Sequence, residues 1–259
     1  MNATGCLTHI DLTLDGEVLG PVHAEHVHAV LCTWMDRDQH SAQRKPFTLR
    51  RLSVASARVD LGVSTLSESA LIDLQSALIN QPIVRLGRSS FQISSALMTR
   101  NAGWDDLLFE ASPASRIDVN LDSPTVFRSG AAMSVMPTAG LVFGHLRAVW
   151  QQWAPDALQP DIDLSSVLIH VDKLTGRTED VVARGRTWRG FVGTVGFDLS
   201  AASPRDSQVL SALAALAPFA GIGANTTIGM GATSVDVGPR KPKSASAPRR
   251  ARAVSGGTR

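Results

Sequence analysis

The chain has 259 residues, 44% of them hydrophobic, and a formal charge of +2, enough for one large core or two cores of roughly 100–120 residues each. No apolar run reaches the ~18–20 residues of a membrane-spanning helix, and the opening Met1-Asn2-Ala3-Thr4-Gly5 carries no signal-peptide pattern, so a soluble cytoplasmic protein is expected. Cys6 and Cys32 form no CxxC pair, which excludes a disulfide framework or zinc knuckle as the organising device.

In chain order, residues 6–14 alternate apolar and polar, as a strand with one buried face does. Residues 22–36 place Val27, Val30, Leu31 and Trp34 on one stripe of an amphipathic helix. A polar loop, 36–45, leads to a strand from Pro46 to Val54, and another strand runs near Arg58–Ser64. A helix over Ser67–Leu78, with Ser67 as N-cap, precedes strands at Ile83–Leu86 and Phe91–Met98. The pattern then breaks at Ser112-Pro113-Ala114-Ser115 and restarts. Arg116–Leu121 alternates; 138–153 reads as a helix; Ser166–Asp172, Thr178–Arg184 and Gly190–Leu199 read as strands. A helix opens on Pro204 and runs to Ala217.

Each half thus has the order strand, helix, strands, helix, strand. This is the split βαβ arrangement of an α+β, ferredoxin-like (RRM-like) domain. The expected organisation is a tandem of two such domains, 1–114 and 115–237, followed by a basic tail, 238–259. The tail holds seven of the 25 basic residues and no acidic one, which leaves 18 basic against 23 acidic residues in 1–237. It is rich in Pro, Ser, Ala and Gly and is expected to be disordered, either as a solubilising terminus or as an electrostatic arm for nucleic acid.

Two features carry chemistry. The run Phe219 to Gly231 contains four glycines, Gly221, Gly223, Gly229 and Gly231, around Asn225, Thr226 and Thr227. Glycine permits positive φ and close backbone approach. The loop is therefore suited either to RNA contact or to tight packing on its own sheet. It lacks the Gly-Lys-Ser/Thr of a Walker A, and it closes a domain where a dinucleotide fingerprint would open one. The second feature is His23, His26 and His28 at the start of the first helix, with His40 in the loop beyond. Around the helix, His26 and His28 lie roughly 100° to either side of the buried stripe, whereas His23 falls near it and is expected to be packed. As metal ligands, His23 and His26 have suitable spacing, but His28 points elsewhere and no further ligand is evident. No cofactor is called for. His9, His145 and His170 offer no functional signal.

Four segments together resemble the RAMP superfamily of CRISPR systems, and within it the Cas-six endoribonucleases that cleave precursor CRISPR RNA in its repeats. They are His28–Met35 with His40 and Lys45–Leu49; Ser123–Arg128 with Met136-Pro137; Trp188–Gly193; and the glycine loop. The resemblance implies cleavage by the substrate's own 2′-OH without metal, leaving a 2′,3′-cyclic phosphate and a 5′-hydroxyl, and retention of the processed CRISPR RNA. It also implies acid/base roles for His28 and His40, with His26 third. Some members set a tyrosine beside the histidine; this chain has no tyrosine.

Imidazole suits proton transfer near neutral pH. Arg44 and Lys45 could neutralise the reacting phosphate, or form a solvated loop. Arg50 and Arg51, neighbours on a strand, point to opposite faces and cannot share a ligand. Arg128, Arg184, Arg186 and Arg189 are further RNA-binding candidates, with Arg184 and Arg186 sharing a face if their strand persists. Trp188 and Phe191 would either stack on bases or join the core. Expected partners are CRISPR repeat RNA and, beyond it, other effector subunits; no membrane is expected. The competing readings are a non-catalytic RAMP scaffold subunit and an enzyme that binds a small phosphorylated ligand at the glycine loop.

Overall fold

The computed structural model describes residues 6–35, 44–130 and 132–239; His40 and the basic tail beyond Pro239 lie outside the described residues. The N-terminal half runs β1 (Cys6–Asp15), α1 (Ala24–Met35), β2 (Phe47–Ala55), β3 (Arg58–Thr65), α2 (Glu68–Asn80), β4 (Ile83–Leu86), β5 (Ser89–Gly103) and α3 (Trp104–Phe109). The C-terminal half runs β6 (Ala114–Thr125), β7 (Phe127–Ser129), β8 (Ala132–Ser134), α4 (Ala139–Trp153), β9 (His170–Ala183), β10 (Arg186–Asp198), α5 (Pro204–Ala220) and β11 (Thr233–Pro239).

The first sheet has the order β2-β3-β1-β5-β4 and the second β11-β6-β10-β9, with antiparallel pairing throughout. Removing the extra edge strand β4, both sheets place their first and third ferredoxin strands at the centre. The chain is a tandem of ferredoxin-like folds.

Local chemistry explains the helix starts. Ser67, Thr138 and Ser203 each cap a helix by accepting a main-chain N–H with the hydroxyl, and Pro204 occupies the first turn of α5. The expected pair of strands over 166–172 and 178–184 is instead the single strand β9, which begins at His170. The turn follows Ala183, because Arg184 and Gly185 both adopt positive φ (53° and 66°). Arg184 and Arg186 therefore do not share a strand face. Phe191 is a core residue, and Trp188 folds back to donate its indole N–H to the Ala183 carbonyl at 3.1 Å. At β2 a bulge falls between Leu49 and Arg51, so the register there is broken at Arg50.

Helix α5 is buried along nearly its whole length, and its last turn joins the two halves. The Phe219 ring stacks on His9 of β1 at 4.4 Å, the Arg100 guanidinium lies 4.9 Å from the ring centroid, and Thr48 Oγ1 donates to the Phe219 carbonyl at 2.8 Å. The second core also takes in Leu7 and Leu66 from the first half, and Trp104 meets Trp150 edge-on at 5.1 Å.

His9 is 5% exposed and hydrogen-bonded through Nδ1 to Ser64 Oγ at 2.7 Å. Burial, with Arg50 and Arg100 nearby, lowers its pKa from 6.5 to about 3. Between these values the unfolded chain takes up a proton that the native state refuses, so stability falls as pH drops below 6.5 and the loss levels off near 3. Urea unfolding at pH 7 and pH 5 should show a loss on the order of 2 kcal/mol from this group. His9→Gln should reduce the dependence in that window by about this amount, His145 with its own lowered pKa keeping a further share, and a wild-type midpoint indifferent to pH would contradict the account.

Candidate active site

A cleft of about 790 Å³ opens between the halves. From the first half it is lined by His28 of α1, by Arg44 and Lys45 ahead of β2, and by Thr48 and Leu66; from the second by Phe127, Arg128, the α4 face, Arg184 and the 223–227 tip of the glycine loop. The lining holds four Arg or Lys side chains and, among the described residues, no carboxylate. Such a wall attracts a polyanion and strengthens contacts to its phosphates.

His28 stands beside the ring of Phe47, with centroids 5.9 Å apart. Its Nε2 lies 3.4 Å from an Arg184 terminal nitrogen and 3.6 Å from Cys32 Sγ. Arginine can only donate, so in this contact Nε2 presents its lone pair. The β9–β10 turn is held at that spot by a second contact, from the Arg184 main-chain N–H to the Glu25 carboxylate, which lowers the Glu25 pKa against the opposing effect of burial. Thus α1 supplies the imidazole, and a turn of the other half supplies the cation beside it.

The other site expectations divide. Arg44, Lys45, Arg128, Arg184, Gly223, Asn225, Thr226 and Thr227 line the cleft with His28. His26 does not: its ring lies against the Gly87 turn, and its Nδ1 accepts the His23 main-chain N–H at 3.2 Å. His23 is exposed ahead of the helix, where the helical angle had placed it near the packed stripe. Arg189 is engaged with Asp180 through two hydrogen bonds of 2.7 and 2.9 Å on the β9–β10 hairpin, and Arg186 is exposed on that hairpin, outside the cleft lining. Among the described residues no three His, Cys, Asp or Glu side chains converge as metal ligands.

The glycine loop is hydrogen-bonded to its own half, while its Thr226–Ile228 turn packs against α1 and β2 of the first half. The amides of Ile222, Ala224 and Gly231 donate to the carbonyls of Gly231, Val126 and Pro124 at 2.8, 2.7 and 3.2 Å. Gly221 and Gly231 are buried and, like Gly229, lie outside the cleft lining. Gly231, at φ +70°, would set a Cβ 2.0 Å from the Ile222 carbonyl oxygen. These glycines let the loop fold tightly enough to present Ala224–Thr227 to the cleft.

Three lining residues had no evident functional signal in the sequence. His145 of α4 lines the cleft; burial first, and then the Arg44 guanidinium, lower its pKa to about 4, partly opposed by a hydrogen bond with the Gly221 main chain. His145 Nε2, Trp153 Nε1 and Asn225 Nδ2 are sealed from solvent without a hydrogen-bond partner among the described residues, each an unfavourable state by ~1–3 kcal/mol. The remaining two, Gly140 and Gly144, lie on the same α4 face. Their spacing of four inside a helix, where glycine is a poor former, was the signal available.

The fold superimposes on solved Cas6 structures. Thermus thermophilus Cas6 in a product complex matches with a TM-score of 0.77 and 25% identity over 88% of this chain and 98% of that one. A Cas6 substrate-mimic complex matches with a TM-score of 0.71 and 25% identity over 89% and 99% of the two chains. A Cas6 mutant with one histidine changed to alanine matches with a TM-score of 0.72 and 25% identity over 90% and 99%. No curated protein matches. The family model of CRISPR-associated endoribonuclease Cas6 matches residues 119–233, from β6 through the glycine loop. The chain is thus similar to the Cas6 endoribonucleases in fold over nearly its whole length and in sequence from β6 through the glycine loop.

The loop geometry separates two glycine substitutions. Gly231→Ala drives a methyl group into a carbonyl and should cost more than ~2 kcal/mol of stability. Gly229→Ala, whose Cβ would meet nothing closer than Leu49 Cδ2 at 3.8 Å, should cost roughly 1 kcal/mol for its left-handed backbone alone. Equal urea midpoints for the two variants would refute this description of the loop.

Proposed function

We propose that this protein cuts CRISPR repeat RNA at one linkage by attack of the adjacent 2′-OH, leaving a 2′,3′-cyclic phosphate and a 5′-hydroxyl. The observation that carries the reading is the contact between His28 Nε2 and Arg184 in a cleft walled by cations. In this reading a bound phosphate draws the Arg184 guanidinium onto its oxygens, and the released Nε2 lone pair takes the 2′-OH proton. Arg44, Lys45 and Arg128 hold the flanking phosphates. His40 is assigned the protonation of the departing 5′-oxygen; it lies outside the described residues.

The comparisons support the reading without reaching its chemistry. Cas6 proteins of this fold have been solved as product and substrate-mimic complexes, and one with a histidine replaced by alanine. A product complex is also consistent with retention of the processed RNA and its hand-over to effector subunits.

Cognate repeat RNA should be cut at a single site in EDTA, and the 5′ fragment should end in a cyclic phosphate. His28→Ala should lower the single-turnover rate at least about tenfold, as loss of a general base does. Arg184→Ala should lower it by a similar factor, through lost transition-state charge stabilisation. Loss of cutting in chelator, or a 3′-hydroxyl product, would overturn the mechanism. RNA binding with no cleavage by the wild type would leave a scaffold subunit in its place.

A further inference from the structure

The α4 face in the cleft is built in a way that no packing among the described residues requires. Gly140 and Gly144 are helical, not at positive φ, and apart from their chain neighbours and the helix's own backbone no atom of the described residues lies within 4 Å of where a Cβ would sit on either one. This distinguishes them from Gly231 and Gly223, whose missing side chains are required by backbone atoms 2.0 and 2.5 Å from the Cβ positions. Glycine in mid-helix lowers helix stability relative to alanine. Neither φ nor packing among the described residues accounts for the pair. What remains is the cleft, where two absent side chains leave a strip of bare helix backbone that a flat group can approach closely.

The surroundings of the strip define that group. His145, next to Gly144, adjoins it on α4, and Asn225 lines the same cleft from the loop tip. Each has a side-chain nitrogen with no partner among the described residues. An amide NH₂ only donates, and a neutral imidazole nitrogen donates or accepts according to tautomer. A donor and an adaptable nitrogen suit a planar ligand with carbonyl oxygens and ring nitrogens on its edge. The cationic lining, without carboxylates among the described residues, ties such a ligand to a phosphate chain.

We infer that the α4 strip of Gly140 and Gly144, with His145 and Asn225, seats one unpaired nucleobase of the RNA and reads its edge by small rotations of these side chains. The inference rests on the RNA-cleaving reading and adds a specificity-determining site to it. His145, neutral at physiological pH, acts here as a hydrogen-bonding group and not as a proton shuttle.

The test uses the full-length protein and cognate repeat RNA. Gly144→Leu fills the strip; because none of the described residues stands there, its Tm should equal or exceed that of the wild type. Its Kd for the RNA should weaken at least about tenfold, the scale of one lost base-stacking contact. An abasic scan through the unpaired positions should find one at which the wild type loses a similar factor. Gly144→Leu should lose no more than about twofold further at that position, since the interaction is already gone. A methylphosphonate scan supplies the control: loss from phosphate neutralisation with no abasic effect would assign the strip to the backbone and overturn base reading. Wild-type affinity in Gly144→Leu, or a Tm well below that of the wild type, would also overturn the inference. A wild type that neither binds nor cuts repeat RNA would instead sink the RNA-cleaving reading and the inference with it.

Discussion

Phe219 is the joint on which the arrangement depends. Its ring lies between His9 and Arg100 of the first sheet, and its carbonyl takes the Thr48 hydroxyl, so the end of α5 is fixed to the other half by stacking, cation–π attraction and a buried hydrogen bond together. The glycine loop starts two residues later. Its position relative to α1, and hence to His28, is set by that joint together with the direct packing of its Thr226–Ile228 turn on α1 and β2. Deep burial of α5 between the layers makes the joint stiff, because a packed helix cannot shift without opening the core around it.

Two kinds of surface then meet in the cleft. One wall is chemical, with an imidazole whose nitrogen is covered by an arginine delivered from across the molecule. The other is spatial, with a helix stripped of side chains where something flat can lie. Cations surround both, and the lining contains no carboxylate among the described residues. This division separates strength of binding, supplied by charge, from choice of site, supplied by shape and hydrogen bonding.

Much of the fold was legible because its strands alternate and its helices start on side-chain caps. Ser67 and Pro204 marked α2 and α5, and the repeated element order gave the tandem architecture. Elements too short for a period escaped: the six residues of α3 and the three-residue strands β7 and β8. Of the residues singled out by type and position, His28 and the tip of the glycine loop line the cleft. His26, Arg186 and Arg189 stand outside that lining, because sequence proximity does not fix which way a side chain faces after the β9–β10 turn or beside Gly87. His145 escaped for the converse reason: only the tertiary arrangement turns its stretch of α4 toward the opening.

The β9–β10 turn has a consequence for how this cleft tolerates sequence change. A two-residue hairpin turn with positive φ at both positions favours asparagine or aspartate followed by glycine, and here the first position is arginine at φ 53°. Local backbone preference alone would replace Arg184 with a smaller residue and make the hairpin easier to form. Keeping a long cation there trades ease of folding for reach, so substitutions at this position should improve the turn as a turn while removing a guanidinium in contact with the His28 ring.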